Sequence, residues 1–243
     1  MAGKKVALNW SQLVPFFVAI SIFFPLYCLH MNEYITIPMK IFWVLKCFPI
    51  YSLIRFVCKQ FYSFNGLRND TFSFLIVVGL ALSSVGDIFL QDGKNRNNDS
   101  FFLGLLAFLL AHICYIQAFK WTPLKPGLFF LLLFLVIIET NLLFGGDVLA
   151  KYPPTLSIGV YVYTAVIGIM LWRSWARVNF GQLLAGHWQP LCGAVGAIFF
   201  VVSDTIIAVS KFRSRFPGSG FLIMTTYYAA QLAIALTVTR RVN

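Results

Sequence analysis

Long apolar runs alternate with short polar breaks along the chain, and each run has about the 20-residue length of a bilayer crossing. Eight stand out, near 13–30, 38–58, 73–90, 101–119, 126–144, 156–175, 191–209 and 221–239. Pro38, Pro126, Pro154, Pro190 and Pro217 stand at or just before the start of a run, where a missing N–H costs a helix least. The pattern predicts an all-α, polytopic membrane protein: one integral membrane domain over residues 1–243, with eight transmembrane helices and no attached soluble domain. The first run follows Lys4 and Lys5 in the manner of a signal peptide. It lacks a small-x-small cleavage site and reads as a retained helix.

Composition narrows the class. With 59% hydrophobic and 11% charged residues, against about 45–50% and about 25% in soluble domains, the chain has more oily surface than one core of its size could bury. The 26 Phe, 10 Tyr and 6 Trp exclude a solvated coil. The net charge of +11 comes from 19 Lys+Arg against 8 Asp+Glu. Basic residues lie mostly at the ends of apolar runs, so they mark topology and meet anionic headgroups rather than nucleic acid. Lys4, Lys5, Arg55, Lys59, Arg68, Lys120, Lys125, Arg173, Arg177, Arg240 and Arg241 fall on the side of the termini. Lys40, Lys94, Arg96, Lys151, Lys211, Arg213 and Arg215 fall on the other, with Lys46 inside a run. This bias places both termini in the cytosol. The five cysteines include no C-x-x-C pair and read as small apolar residues.

A faint duplication runs through the chain. A shift of 117 residues superposes Asp87 on Asp204, Gly79 on Gly196, Val78 on Val195 and Val85 on Val202. A shift of 119 places Ala111-His112 on Ala230-Gln231 and Phe102-Leu103 on Phe221-Leu222. Four helices separate the copies, so the halves point the same way, as a parallel four-helix pseudo-repeat.

Ionisable residues inside a span are costly and are functional hypotheses by default. Lys46, Asp87, Glu139 and Asp204 are such residues, with His112, Tyr161, Tyr227 and Gln231 as milder companions. At 1.5 Å per residue, Asp87 and Asp204 sit roughly 5–8 Å inside the same boundary, Tyr161 and Tyr227 roughly 8–9 Å, Lys46 roughly 12 Å, and Gln231 and His112 roughly 15–17 Å. These residues therefore share one leaflet, the non-cytosolic one, and predict a polar cavity with two aspartates near its mouth. Two neighbouring buried carboxyls hold protons unequally, so one serves as general acid and the other as base. Polar glue between helices is the plainer alternative. Lys46 either neutralises an aspartate, holds a phosphate or snorkels to the interface. Glu139 reads as an interfacial carboxylate near a helix end, and Lys211, with Arg213 and Arg215, either meets an anionic headgroup or belongs to an ordinary basic loop. No G-x-S-x-G, H-E-x-x-H, Walker A or G-x-G-x-x-G motif occurs, and no metal site or cofactor is expected. Two sequons, at Asn69 and Asn98, are present, and only Asn98 falls on the lumenal side.

These residues carry a resemblance. Leu45-Lys46-Cys47-Phe48-Pro49, Ser84-Val85-Gly86-Asp87, Ala111-His112-Ile113-Cys114-Tyr115, Gly159-Val160-Tyr161, Val202-Ser203-Asp204 and Thr226-Tyr227-Tyr228-Ala229-Ala230-Gln231 follow one another in an order that resembles the lysoplasmalogenases, the transmembrane protein 86-like family. The likeness runs from about residue 13 to residue 239. It implies an enzyme of the endoplasmic reticulum membrane that hydrolyses the vinyl ether bond of lysoplasmalogens to a fatty aldehyde and a glycerophospho-ethanolamine or -choline. It also implies catalytic roles for Asp87 and Asp204 and no metal or nucleotide. On that reading Lys46, His112, Tyr161, Tyr227, Gln231 and Lys211 form the substrate-binding set. The partners are a lysophospholipid and the bilayer, with a homodimer left open and no nucleic acid. Two other classes stay open on the residues alone: a proton-coupled carrier, since parallel repeats and intramembrane carboxylates suit transport, and a lipid-binding scaffold.

Overall fold

The computed structural model describes residues 10–64, 70–90, 98–145 and 148–239. Lys4, Lys5, Arg68, Lys94, Arg96, Arg240, Arg241 and the Asn69 sequon of the topology argument lie outside them. Nine α-helices occur among the described residues: α1 (Val14–Met31), α2 (Met39–Phe64), α3 (Thr71–Leu90), α4 (Asn98–Phe119), α5 (Pro126–Phe144), α6 (Pro154–Ala176), α7 (Phe180–Leu184), α8 (Gln189–Ala208) and α9 (Ser219–Leu236). All but α7 are long and apolar enough to cross a bilayer, so the protein is a multi-pass membrane protein. The short α7 lies in the break between the sixth and seventh runs and is capped by the Asn179 side chain, which accepts from the N–H groups of Gly181 and Gln182.

Helix limits agree with the apolar runs to within a few residues, except that α2 runs on to Phe64, past its expected end near 58, and that the seventh run is extended. The seventh run continues past its expected end through a π-helical turn, Val209–Arg213. Asp204 thus sits nine residues from the end of its helical segment rather than five, at roughly 13 Å by helical rise. The Arg213 guanidinium closes this extension by donating to the carbonyls of Leu142, Leu143 and Gly145 at the end of α5.

The duplication is visible in the packing. The tight antiparallel pairs are α3 with α4 and α8 with α9, and the halves cross-pack through α4 on α6 and α9 on α2. Glycine makes both tight pairs close. A Cβ on Gly79 would lie 2.3 Å from the Tyr115 ring, and one on Gly196 would lie 2.9 Å from Ile234. Gly79 and Gly196 are 117 residues apart, and Tyr115 and Ile234 are 119 apart, the two offsets of the repeat. Small residues at such crossings let helices gain dispersion contact where lipid offers no hydrophobic driving force. The periphery is different. Helix α5 exposes Phe130, Phe134 and Ile138 outward and touches the bundle mainly through α6 and the α8 extension.

Candidate active site

Lys46 is set on α2 by a proline. Pro49 lacks the N–H that would bond the Leu45 carbonyl and crowds that turn. The loosened stretch is tied instead by the Tyr228 hydroxyl, which donates to the Lys46 carbonyl at 2.8 Å. The Lys46 ammonium lies 3.1 Å from Asp87 Oδ1 and also donates to the Asp87 carbonyl at 3.2 Å. Burial of the lysine therefore satisfies the side chain and the backbone carbonyl of Asp87 together, and snorkelling is excluded. The Tyr227 hydroxyl of α9 donates to Asp87 Oδ2 at 2.5 Å. Asp87 is 3% exposed.

Asp204, on α8, has a different shell. The Tyr163 hydroxyl of α6 donates to its Oδ2 at 2.5 Å. His112 Nε2 of α4 lies 2.9 Å from that hydroxyl and 3.7 Å from the carboxylate oxygen, while its Nδ1 faces the Met170 sulfur at 3.2 Å. The carboxylate is 19% exposed and faces a cavity bounded by α4, α5, α6 and α8. Its walls are mostly apolar, with Leu105, Phe108, Ile167 and Val201 among them. Lys211 stands at its rim: the ammonium lies 5.0 Å from the ring of Phe101, a wall residue, and donates to Asn98 Oδ1. Asn98, the sequon residue, is thus the engaged first residue of a spanning helix.

One aromatic box joins the two carboxylates. The Phe200 ring lies 5.0 Å from His112 and 5.9 Å from Tyr227, and Phe108 lies 5.9 Å from Tyr227. Asp204 is a wall residue of the cavity; Asp87 stands behind that wall. Lys46 and Tyr227 enclose Asp87 and His112 backs Tyr163, so these three serve the carboxylates rather than line the cavity. Gln231 is fully buried and accepts from the Tyr115 hydroxyl at 3.0 Å.

Tyr161 is a correction. It is 48% exposed, with its ring 6.3 Å from Phe144. Its azimuth differs from the one expected, since two residues turn a helix by roughly 200°. Tyr163 takes the position instead, and the repeat held the signal: Lys46 and Tyr163 are 117 residues apart, as are Asp87 and Asp204. Glu139 is a second correction. Its carboxylate accepts from the Thr205 hydroxyl and lines the cavity. Among the described residues no group of three or more His, Cys, Asp and Glu could hold a metal ion.

The profile of the YhhN family matches residues 41–238. The chain belongs to the YhhN family. Lysoplasmalogenase TMEM86A of Bos taurus is 36% identical to this YhhN protein over 235 residues, covering 93% of the chain and 88% of the relative. Lysoplasmalogenase TMEM86B of Sus scrofa is 31% identical over 228 residues, with 94% and 86% covered. A lysoplasmalogenase homolog of Dictyostelium discoideum is 30% identical over 203 residues, with 70% and 64% covered. No solved structure matches this YhhN protein.

Proposed function

We propose that the protein is a lysoplasmalogenase, an ether hydrolase that converts a 1-alkenyl lysophospholipid and water into a fatty aldehyde and a glycerophospho-alcohol. The observation that carries this reading is a carboxyl, Asp204, presented to an oily cavity inside the membrane and backed by a hydroxyl–imidazole chain. The similarity to lysoplasmalogenases TMEM86A and TMEM86B supports the same activity. The alkenyl chain lies along the apolar walls and the phosphate meets Lys211 at the rim.

The chemistry follows from the shells. With Asp204 protonated on Oδ1, its other oxygen Oδ2 still accepts from the Tyr163 hydroxyl, whose oxygen accepts in turn from His112 Nε2–H. Asp204 gives its proton to the β-carbon of the vinyl ether, and the double-bond electrons form that C–H bond. An oxocarbenium ion remains. Asp204, now ionised, takes a proton from the water that adds to the α-carbon, and the hemiacetal collapses to aldehyde and alcohol. Asp87, its charge balanced by Lys46, holds Tyr227 and the aromatic box behind Asp204 in place. The protein works in the endoplasmic reticulum membrane with both termini cytosolic.

The test is purified protein in detergent, given a lysoplasmalogen and, separately, its saturated ether analogue. Aldehyde is expected from the vinyl ether alone. Asp204→Asn lowers the rate by about 1,000-fold and Asp87→Asn by about 100-fold, with gel filtration unchanged. Wild-type rates in both variants, or uptake driven by a pH gradient with no aldehyde, overturn the reading.

A further inference from the structure

The cavity holds one carboxyl that the mechanism above does not use. Of its hydroxyls, Thr140 and Thr164 donate to carbonyls of their own helices, Val136 and Val160, and Tyr163 is engaged with Asp204. Glu139 remains. A carboxylate offers about four acceptor sites, and Thr205, whose single proton is shared with the Val201 carbonyl of its own helix, occupies one. Among the described residues Glu139 makes no ion pair. Its helix, α5, otherwise faces lipid with large apolar side chains, so an acidic group there is a cost that packing does not explain. The spare acceptors point to a donor supplied by a ligand.

Position identifies that donor. Thr205 follows Asp204 on α8, so the carboxyl it holds lies at the depth of Asp204. This step rests on the hydrolase reading, which puts the vinyl ether at Asp204. In a lysophospholipid the ether oxygen sits on the terminal glycerol carbon, and a free hydroxyl sits on the next carbon. The ammonium of the headgroup lies beyond the phosphate, which belongs at Lys211, seven residues or roughly 10 Å further along the helix. The secondary hydroxyl is therefore the donor within reach when the ether is in place.

We propose that Glu139, held by Thr205, is a specificity-determining residue that accepts a hydrogen bond from the free secondary hydroxyl of the substrate's glycerol. A second acyl chain at that carbon removes the donor and sets an ester oxygen against the carboxyl. A site built to bond a hydroxyl discriminates strongly against an analogue without one, because its own polar group is left unpaired. The carboxyl thereby admits one-chain lipids and turns away two-chain ones by repulsion as well as by space.

The experiment is a two-by-two cycle of protein and substrate. Wild type and Glu139→Leu are each given the alkenyl lysophospholipid and its 2-deoxy analogue. For the wild type, loss of the hydroxyl lowers kcat/KM by about 30-fold, as expected for a bond to a carboxylate. Glu139→Leu lowers kcat/KM for the hydroxyl substrate by about as much and leaves the 2-deoxy substrate within about twofold of wild type. Glu139→Gln keeps an acceptor and retains part of the discrimination. Equal losses on both substrates overturn the assignment, as does a Glu139 effect that follows removal of the headgroup ammonium instead of the hydroxyl. The same cycle is run as binding of saturated 1-alkyl lysophospholipids with and without the hydroxyl. Hydroxyl-dependent, Glu139-dependent binding without aldehyde release from any substrate sinks the hydrolase reading and leaves this one standing. Hydroxyl-independent binding sinks this one whatever the hydrolysis shows.

Discussion

Asp87 and Asp204 hold equivalent places in two copies of one four-helix pattern, yet their surroundings are opposite. Each is contacted by the second helix of its own half, through Lys46 and through Tyr163. Each is also approached by the last helix of the other half, through Tyr227 and through His112. The scaffold is shared; the side chains differ. At the position where one half places an ammonium, the other places a phenol. The ammonium also takes the Asp87 carbonyl, whereas Asp204 is left open to the cavity on one side. One differing partner position thus separates an ion-paired, enclosed acid from an open one.

The largest effect that would break this comparison comes from Lys46. Lys46→Met leaves a buried carboxylate without its cation and removes the donor to the Asp87 carbonyl, and it should cost about 3–5 kcal/mol of stability, as the loss of one partner of a buried pair does. Thermal unfolding in detergent reads the cost. Adding Asp87→Asn should recover most of it, because the stranded charge is gone, while aldehyde release stays low. Full stability of Lys46→Met would mean that Asp87 does not depend on the ammonium, and the contrast between the halves would fail.

A smaller effect separates the two tyrosines that touch the carboxylates. Tyr163→Phe removes the donor to the cavity-facing Asp204 and cuts the chain to His112. It should lower kcat by about 10- to 100-fold with little change in unfolding temperature, since its site is open on one side. Tyr227→Phe removes a fully enclosed donor, so its effect should appear first as about 1–3 kcal/mol of lost stability. Equal profiles for the two variants would show that both carboxylates work in the same environment.

Much of this arrangement was legible before the structure, and the misses share one cause. Apolar run length sets where a helix crosses lipid, so eight spans could be read directly, while the extension past Val209 sets Asp204 deeper than its run implied. Depth put Lys46, Asp87, His112, Tyr227 and Asp204 in one layer, and the two carboxyl shells contain all five. Azimuth is another matter. Nothing in the α5 sequence says which way Glu139 points, because apolar residues surround the helix on every side and leave no stripe to orient it. The neighbours Thr140 and Asn141 suggested an interface, yet each bonds a carbonyl of its own helix, and Thr205 on α8 receives the glutamate. The π-helical turn was equally hidden, since the Arg213 side chain that fastens it reaches carbonyls at the end of α5.

The smallest expected effect tests azimuth within a single helix. Tyr161 and Tyr163 are two residues apart on α6, similar in depth and identical in chemistry. Tyr161 turns half of its surface outward, against Phe144 at the bundle edge, where its ring packs as an apolar body with a polar tip at the membrane interface. Tyr161→Phe removes only that tip. It should leave kcat/KM within about twofold of wild type and stability within about 0.5 kcal/mol, the range of surface changes. Tyr163→Phe, the same chemical change half a turn away, should cost at least tenfold more in rate. A Tyr161→Phe variant as impaired as Tyr163→Phe would rotate α6 in the membrane. It would bring Tyr161 to Asp204 and move the cavity to the other side of the helix.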